Sequence, residues 1–557
     1  MNNMRKPFSL KKKILLWLLG IIGTIVLAII ITIVFFLDGI LNKTVRPELA
    51  EWVRRASHNQ YELVIGRIGH TFTSLSCEHI DLVRVRYDSL TPGFFIRKCS
   101  IDTVLISGIS WWDILWKNGL KLDRVEIRHP SLHISRYTAG EERPKEEKMD
   151  TGQFLPTVKK IFPSIAVDSI LLSDISVQLS SDMGHQHAIL RGTNLAIGNF
   201  GLDTLTMRTN KYLLFSKSIH IDASEAQYIF EDSLYSLRMK GLKGSFEDSS
   251  LSIDTFSFSP NYNERDFANK NKYNRGRLTF ECTGLQAEGI QLSKLLRFNA
   301  IIFSSAKAKT WRVDYYSDKR KPSNPNPPAA LMPNDIFRNM GIAIRADSLS
   351  LSNGYIHIRE QSPVSNHISQ LTFEKTNLVM TPLLIDSSLK KDADRVGLYL
   401  NTMFQGIAPL TAQIVYPLSR ASFDMDIKAH VGGFDAKSVN SFLVYTDRTE
   451  ITEGKVISGD ISMQIRNGVA TTAVTPRFQD LSVKFLSKKS SESRSIWDGI
   501  KTTLANIFVI KSNNLDKEGS PAKTATTTRK RLPPEEFFQF LWFAVRRSLG
   551  EVVGGFK

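Results

Sequence analysis

Apolar and polar residues alternate along most of the chain between residues 60 and 485. Segments such as 80–86 (IDLVRVR) and 131–136 (SLHISR) place side chains of one character at every second position. Successive side chains of a β-strand point to opposite faces of the sheet, so a period of two indicates a strand with one apolar face. The pattern therefore predicts a mainly β protein built from many short strands.

A few segments have the spacing of helices instead. Residues 111–118 (WWDILWKN) repeat apolar side chains at intervals of three and four, and residues 292–297 (LSKLLR) form a second short candidate. Further candidates lie at 496–509 and at 535–557. These helices are too few to cover so many strands, which leaves an apolar sheet face without an obvious cover.

One thirteen-residue pattern occurs twice. Residues 167–179 read VDSILLSDISVQL and residues 346–358 read ADSLSLSNGYIHI, 179 positions later. Downstream of the two copies, TNLAIGNFGLD is matched by TNLVMTPLLID at an offset of 183. The sequence therefore predicts a tandem duplication, in which residues 113–203 and 293–386 are equivalent units.

A repeated aspartate marks the start of each copy. Asp168 and Asp347 stand between an apolar residue and a serine, and a related apolar-Asp-x-apolar pattern recurs at 101–106, 122–127 and 253–258. At a strand entrance an aspartate can accept a backbone N–H, whereas inside a strand it is disfavoured. We interpret each copy as a strand that starts at the aspartate, turns at the polar pair and returns, and the stacked copies as one long sheet.

The second half of each copy has the clearer alternation. Ile175, Val177 and Leu179 share one face in the first copy, and Ile356 and Ile358 take the corresponding positions in the second. Equivalent positions of equivalent units fall on the same side of a continuous sheet. We therefore predict that Val177, Leu179, Ile356 and Ile358 line a common apolar trough that can solvate acyl chains.

The N-terminal segment has the character of a membrane anchor. Residues 14–37 contain no charged side chain over 24 positions, which corresponds to about 36 Å of helix. Lys11, Lys12 and Lys13 precede it, and such a basic cluster stays in the cytoplasm. A cleaved signal peptide is the alternative, but its apolar region spans about 7–15 residues and ends at a small-residue cleavage site. The pattern favours an uncleaved anchor, with the residues after Asp38 on the far side of the membrane.

The charge balance indicates an anionic partner. The chain carries 72 basic and 55 acidic residues, a net charge of +17. Nucleic acid and an acidic membrane surface are two partners that such a surplus attracts. The sequence offers no RNP motif and no helix-turn-helix or zinc-finger spacing. We therefore predict a phospholipid or membrane partner and no nucleic acid.

Residues that could carry chemistry are sparse. Cys77, Cys99 and Cys282 form an odd, widely spaced set, which argues against a disulfide framework and against zinc. Cys77 and Cys99 could pair if their strands are neighbours, but buried free thiols are the favoured interpretation. No phosphate-binding loop, GxSxG or HExxH motif occurs, and no nucleophile, base and orienting residue can be argued together. We predict no metal, no cofactor, no catalytic residue and no enzymatic activity.

The last segment of the chain, 535–557, predicts an amphipathic helix. Acidic residues stand in its first turn and two arginines lie later, as the helix dipole favours. Its broad apolar stripe includes Phe538, Leu541, Trp542, Val545 and Leu549. Two interpretations are open, namely a helix that binds a membrane interface or a partner, and a helix that caps the open edge of the sheet.

Both ends of the chain show an order of segments that is found in a known family. An N-terminal anchor is followed by YELVIGRIGHTFTSLSCEHIDLVRVRY (61–87), a short Trp/Leu helix and LKLDRVEIRHPSLHISR (120–136). This order resembles the AsmA-like family of diderm bacteria, and the stretch from Ile451 to Trp542 resembles the C-terminal region of its large members. The resemblance implies a single-pass inner-membrane protein with its N-terminus in the cytoplasm and its bulk in the periplasm. It also implies a bent, taco-like antiparallel β-sheet groove that moves phospholipid or maintains the outer membrane.

The expected fold class is therefore mainly β: an elongated, bent antiparallel β-sheet groove with a few short helices, preceded by one transmembrane helix. The expected order along the chain is a cytoplasmic basic tail (1–13), the transmembrane helix (14–37), an N-terminal AsmA-like region (45–136), a polar linker (137–152), a first β-repeat region (153–316), a Pro-rich linker (317–335), a second β-repeat with C-terminal AsmA-like strands (336–486), a helix with a polar linker (487–534) and a C-terminal amphipathic helix (535–557).

Two function classes follow from these expectations. The first is a membrane-anchored periplasmic protein of lipid transfer or outer-membrane homeostasis, which moves or holds phospholipid in its apolar groove. The alternative is a non-enzymatic scaffold or assembly factor for outer-membrane proteins, which would contact an envelope protein at the C-terminal end through sheet edges. Lipid that co-purifies with the chain would favour the first class.

Overall fold

The computed structural model of the chain describes residues 46–554 with several gaps. The gaps are residues 58, 72, 87–92, 111–112, 114–118, 138–163, 182–185, 203–214, 231–232, 292–293, 295–299, 336–342, 364–366, 386–394, 418–422, 447 and 486–508. Several predictions lie entirely or almost entirely outside the described residues: the anchor at 14–37, its flanking Lys11, Lys12 and Lys13, and the helices at 111–118, 292–297 and 496–509.

The described helices are few, as the sequence predicts. They are α1 (Arg46–Ala56), α2 (Glu264–Lys270), α3 (Asn440–Thr446) and α4 (Phe537–Val553). Within the described ranges, no helix combines the length and the apolar character that crossing a bilayer requires.

Strands dominate the described residues, which confirms the mainly β prediction. Residue contacts divide the chain into two units: unit 1 is Met1–Phe256 with Gln286–Ala300, and unit 2 is Ser257–Leu285 with Ile301–Lys557. The strands of unit 1 are β1 (Tyr61–Ile65), β2 (Ile68–His70), β3 (Ser74–Arg84), β4 (Gly93–Ser107), β5 (Leu120–Arg128), β6 (Ser131–Tyr137), β7 (Ile165–Ser181), β8 (Gln186–Leu202), β9 (Ser218–Ile229) and β10 (Tyr235–Ser245). Both units share the residues of β11 (Ser250–Pro260), β12 (Arg277–Glu288) and β13 (Ala300–Ala308).

The strands of unit 1 form a mixed sheet. Antiparallel pairs join β1 and β2 to β3, β3 to β4, β4 to β5 and β6, and β7 through β8 and β9 to β10. β7 instead runs parallel to β5 and β6. The prediction of a purely antiparallel sheet is therefore wrong at this point. A parallel neighbour needs a connection of a dozen or more residues, and the chain between β6 and β7, which contains the linker predicted at 137–152, is long enough.

The core of unit 1 collects apolar side chains from β1 to β8. β5 lies between β4 and β7, and its residues Leu120, Leu122, Val125 and Ile127 are each only 1% exposed. Burying a side chain of this size stabilises the fold by about 1.5–3 kcal/mol relative to leaving it in water. The part of unit 1 around β5 is therefore a closed, well-packed core.

The strands of unit 2 also form a mixed sheet. They are β14 (Thr310–Asp318), β15 (Ala343–Gln361), β16 (Ile368–Thr381), β17 (Leu383–Ile385), β18 (Arg395–Phe404), β19 (Ala408–Pro417), β20 (Met425–Val431), β21 (Phe434–Asp435), β22 (Thr449–Arg466), β23 (Val469–Phe485), β24 (Val509–Asn514) and β25 (Ala525–Lys530). β14 and β15 are parallel, whereas the neighbours from β15 through β16, β18, β19, β20 and β22 to β23 are antiparallel. The Pro-rich segment predicted at 317–335 leads from β14 to β15. The two strands that have parallel neighbours, β7 and β15, therefore each follow a predicted linker.

The C-terminal helix α4 covers part of the sheet of unit 2. The helix prediction at 535–557 is confirmed, with the helix running over Phe537–Val553 and contacting β23 and β25. Phe540, Ala544, Ser548 and Val552 are buried at intervals of four. The Ser548 hydroxyl donates to the carbonyl of Thr472 over 2.9 Å. Packing on the sheet is therefore one established role of this helix.

The predicted apolar stripe of α4 is divided between a packed side and an exposed side. Leu541 and Val545 pack against the buried cluster under the helix. Phe538 is 74% exposed, so it lies outside the packed side of the helix. The buried residues of α4 recur every four positions and include small ones such as Ala544 and Ser548. Their small side chains allow the helix to approach the strands closely. A stripe chosen by hydrophobicity alone misses these positions.

The thirteen-residue pattern forms one strand in each copy. Residues 167–179 lie within β7 and residues 346–358 within β15. Asp168 is the fourth residue of β7 and Asp347 is the fifth residue of β15, so both strands begin before the aspartates at which they were predicted to start. The predicted turn and return are wrong, because the polar pair in the middle forms a β-bulge. A bulge inserts one extra residue and bends the strand without reversing it.

The two cysteines of unit 1 are buried and free. Cys77 on β3 is 2% exposed and Cys99 on β4 is 4% exposed. Cys77 is level with Val104, and Cys99 is level with Leu82. The prediction of buried, unpaired thiols is therefore confirmed for this pair.

Candidate functional site

The structure places the four predicted trough residues on two equivalent strands. Val177 and Leu179 lie on β7, and Ile356 and Ile358 lie at the corresponding positions of β15. Each strand has a parallel neighbour on one side and an antiparallel neighbour on the other. All four side chains are half-buried.

In unit 1 the residues level with Val177 form an apolar row across eight strands. Side chains that are level on neighbouring strands project from the same face and contact each other. The row is Leu63, Leu82, Cys99, Leu132, Val177, Leu190, Ala226 and Met239. A second row, level with Leu179, is Ile96, Ile134, Leu179, Ala188, Tyr228 and Leu237.

Exposure changes along the row of Val177. Its first members, from Leu63 to Leu132, are 4–8% exposed. From Val177 to Met239 the side chains are half-buried. The apolar face of unit 1 therefore passes from a closed core on β1 to β6 into a partly open surface on β7 to β10.

In unit 2 the row level with Ile356 is rich in phenylalanine. It consists of Phe280, Val313, Ile356, Phe373, Phe404 and Ala408. The ring centroids of Phe373 and Phe404 are 5.6 Å apart, and Phe434 extends the contact at 6.0 Å from Phe404. Ile356 and the three phenylalanines of these ring contacts are half-buried, and none belongs to the buried clusters of the unit.

A second apolar row crosses unit 2 nearer to α4. It consists of Leu351, Leu378, Leu400, Ala412, Ala429, Ile461, Val474 and Ala525. The members from Leu351 to Ile461 are half-buried, whereas Val474 is 2% exposed. Unit 2 therefore carries the same combination as unit 1, a closed core beside a partly open apolar surface.

A latched bulge keeps the apolar residues of β7 on one face. Asp174 has a positive φ of 54°, and its N–H donates to the Oδ1 of Asn194 on β8 over 3.0 Å. The extra residue places Leu172 and Ile175, which are three positions apart, level with Leu195 and Thr193. Without the bulge, a step of three would send Ile175, Val177 and Leu179 to the opposite face.

The second copy has the same device. Asn353 has a φ of 48°, and its N–H donates to the Oδ1 of Asn377 over 3.1 Å. Asn194 and Asn377 are the asparagines of the two TNL segments that the sequence comparison aligns. The duplication is thus visible in the geometry, because both the bulged residue and its acceptor are repeated.

A third copy of the latch went unnoticed in the sequence. Asp480 on β23 has a φ of 52°, and its N–H donates to the Oδ1 of Asn513 on β24 over 2.5 Å. The local signal is present, since QDLS and SNNL match SDIS with TNLA and SNGY with TNLV. Two four-residue signals this short are found only once the strand pairing is known.

At one position the second copy has a glycine where the first copy has an isoleucine, and a tryptophan from the neighbouring strand covers the glycine. Gly354 stands where the first copy has Ile175, and the indole ring of Trp311 lies over it, where a Cβ would come within 2.1 Å of the ring. The Trp311 Nε1 donates to the carbonyl of Thr376 over 3.2 Å. The ring of Trp311 therefore requires glycine at position 354.

The opposite face of the same strands is polar. His357 and Arg359 alternate with Ile356 and Ile358, and both contact the carboxylate of Asp314, at 3.3 Å and 2.6 Å. Glu264 also binds Arg359 at 2.7 Å. A shallow cavity of about 530 Å³ on β18 to β23 is lined by polar residues such as Lys428 and Asp460, and also by Leu400, Ala412, Ala429 and Ile461 of the second apolar row. The two faces of the sheet therefore differ in kind, one apolar and one charged.

The described residues that could ligate a metal lie apart from one another or in ion pairs. In the part of the chain that the structure describes, no three His, Cys, Asp or Glu side chains gather as metal ligands. The Arg477 guanidinium and His430 hold the pKa of Asp460 below its usual range, with the His430 hydrogen bond as the largest cause. Asp460 belongs to an exposed chain of ion pairs. It contacts His430 and Arg477, and Arg477 also contacts Asp516.

Comparison with known proteins adds no assignment. No family model matches the chain. No curated protein matches it either. The resemblance to the AsmA-like family therefore stays a prediction from the sequence.

Proposed function

We propose that this protein holds or moves phospholipid, with the acyl chains lying on the partly open apolar surfaces of its two units. The observation that carries the proposal is the set of continuous apolar rows that include Val177, Leu179, Ile356 and Ile358. At about 4.8 Å between strands, eight strands extend roughly 34 Å. An acyl chain needs about 15 Å, half of a bilayer core of ~30 Å.

Energetics favour a ligand on these surfaces. Each Å² of apolar surface left in water costs about 25 cal/mol compared with a covered one. Large continuous apolar surfaces on soluble domains usually mark a binding site. The rows of phenylalanine in unit 2 offer contact area without a hydrogen-bonding group, which suits a hydrocarbon chain rather than a polar ligand.

The cellular setting belongs to the same proposal. We infer an AsmA-like protein that is held in the inner membrane by residues 14–37, with Lys11, Lys12 and Lys13 in the cytoplasm and the strands of both units in the periplasm. The support is the uncharged N-terminal segment and the order of the first strands in the sequence. The net charge of +17 is consistent with contact to anionic lipid.

Photocrosslinking from both faces of the same strands tests the proposal. A photoreactive residue is placed at Val177, Leu179, Ile356 or Ile358 of the full chain, and at Gln178 or His357 as controls. The four apolar positions should give adducts with acyl lipid, identified by mass spectrometry, and the two polar positions should not. Crosslinks from the four positions to protein alone would overturn the proposal, and crosslinks to an outer-membrane β-barrel would favour the scaffold function instead.

A further inference from the structure

Three large apolar side chains lie exposed near the start of α4. Leu331 is 56% exposed, Leu532 is 47% exposed and Phe538 is 74% exposed. The residues beside the two leucines are joined by a hydrogen bond, from the N–H of Ala330 to the carbonyl of Pro533 over 2.8 Å. Phe538 follows in the first turn of the helix. We name Leu331, Leu532 and Phe538 the C-terminal apolar patch.

The packing of α4 fixes which of its side chains remain outside. One side of the helix faces the sheet and carries its buried residues, Phe540, Ala544, Ser548 and Val552. At about 100° per residue, Phe538, Trp542 and Leu549 fall together on a different side of the helix. Trp542 and Leu549 are half-buried. The helix thus has a second apolar side that continues the C-terminal apolar patch.

The patch is held rigidly in place. Glu535 is 3% exposed and is paired with the guanidinium of Arg529, whose Nη1 donates to Oε2 over 2.7 Å. The guanidinium of Arg531 donates to the backbone carbonyls of Ala330, Pro533 and Glu535 over 3.1–3.3 Å. Exposed leucines on this segment are therefore displayed by a fixed backbone, and a preordered surface loses little entropy on binding.

The segment that carries the patch is rich in basic residues. From Arg529 to Arg547 the chain holds five basic and two acidic residues. One of the two acids is the buried Glu535, which Arg529 already neutralises. Arg531 donates to carbonyl groups beside the patch, and Arg546 lies one turn after Trp542 on the second apolar side of the helix. The surroundings of the patch therefore carry a positive surplus.

We propose that the C-terminal apolar patch binds the surface of an anionic phospholipid membrane, with Phe538 and Leu532 entering the interface and Arg546 meeting the headgroups. Exposed aromatic and aliphatic side chains beside basic ones are the combination that interfacial helices use. Basic residues add attraction toward anionic lipid, which salt weakens. This inference does not depend on acyl chains occupying the apolar rows.

Vesicle flotation with the full chain tests the inference. The chain is placed in nanodiscs, so that any N-terminal anchor is occupied, and mixed with vesicles of phosphatidylcholine alone or with added phosphatidylglycerol. The wild type should float with the anionic vesicles, and less so at high salt. Phe538→Asp should weaken binding roughly tenfold, because its apolar burial is lost. Arg546→Glu should reduce the preference for phosphatidylglycerol, because it reverses the charge on the side of the helix that carries Phe538 and Trp542.

The control variant is Ile407→Asp. Ile407 is 45% exposed, close to the value for Leu532, and lies between β18 and β19, away from the patch in the sequence. It should float like the wild type. Equal flotation of Phe538→Asp and wild type, or flotation only with vesicles that carry outer-membrane proteins, would overturn the inference. A chain that floats normally but carries no acyl lipid would instead overturn the proposed function alone.

Discussion

Burial changes the chemistry of the two cysteines of unit 1. Removal from water raises the pKa of the Cys77 thiol to about 12. The nearby Arg46 guanidinium lowers this pKa, and the Glu78 carboxylate raises it. It raises the pKa of Cys99 to about 11, with Asp81 adding to the effect. Both thiols therefore stay protonated far into the alkaline range and act as small apolar side chains.

These raised pKa values predict a loss of stability in alkali. An unfolded thiol loses its proton near pH 9, whereas folded Cys77 keeps its proton up to about pH 12. Between these values the folded state binds more protons, so the free energy of unfolding falls as pH rises, by at most about 1.4 kcal/mol per pH unit for each thiol. Denaturant-dependent hydrogen exchange of β3 and β4 between pH 8 and pH 11 measures this slope.

The double variant Cys77→Ala with Cys99→Ala is the control. It is less stable overall, because two buried side chains become smaller, but its stability should depend less steeply on pH above pH 9. Lysine and tyrosine residues titrate equally in both proteins. Identical slopes would show that the two thiols are not the cause.

Latched bulges shape the strands at the scale of single elements. Asp174, Asn353 and Asp480 each adopt a left-handed backbone conformation, and each time an asparagine on the next strand accepts the N–H. Aspartate and asparagine tolerate this conformation better than most residues. The asparagine acceptor compensates for the hydrogen bond that the extra residue takes out of the ladder.

Removing one latch should loosen one strand locally. Asn377→Ala deletes the acceptor of the Asn353 N–H, which should cost about 1 kcal/mol. Peptides of β15 around Asn353 should then exchange their amide hydrogens roughly fivefold faster, since 1 kcal/mol is about a factor of five. Asn377→Asp keeps an oxygen at the same place and should exchange close to the wild-type rate. Fast exchange in both variants would mean that the oxygen is not the element that holds the bulge.

Elements were predicted well where their signal is local. The period of two predicted β7 and β15 as strands, and the periodic segment at the C-terminus predicted α4. The same signal could not distinguish a bulge from a turn at Ser173–Asp174, because both use a polar pair with one residue in a left-handed conformation. The parallel pairing of β7 with β5 and β6, and of β15 with β14, was not predicted. Strand direction depends on the path of the connecting chain, which the alternation of side chains does not encode.

At the scale of the whole molecule, each unit combines a closed core with a partly open apolar surface. Ile465 on β22 is fully buried, whereas Ile356 on β15 is half-buried and outside the core clusters. Both are isoleucines on strands of unit 2, and their alternation in the sequence is alike. Burial, rather than residue type, separates a residue that stabilises the fold from one that is available to a ligand.

The same substitution should therefore act differently at the two isoleucines. Ile465→Asp places a charge where water cannot reach it and should unfold unit 2, at a cost of several kcal/mol. Ile356→Asp lets the carboxylate reach water and should cost about 1–2 kcal/mol. Urea unfolding followed by Trp311 fluorescence compares the two, and Tyr355→Asp on the polar face of the same strand is the matched control. A collapse of Ile356→Asp as complete as that of Ile465→Asp would mean that the surface around Ile356 is a closed core.

The sequence by itself determined the features that repeat over a few residues. Strand character follows from the alternation of side chains, the duplication follows from two matching segments, and the C-terminal helix follows from its apolar period. Tertiary structure alone decided which of the apolar side chains are closed in and which remain open. Exposure at Val177 or Ile356 depends on strands that are distant in the chain, and those contacts leave no trace in the local pattern. The bulges at Asp174 and Asn353 then decided the face, because a single extra residue reverses every side chain that follows it.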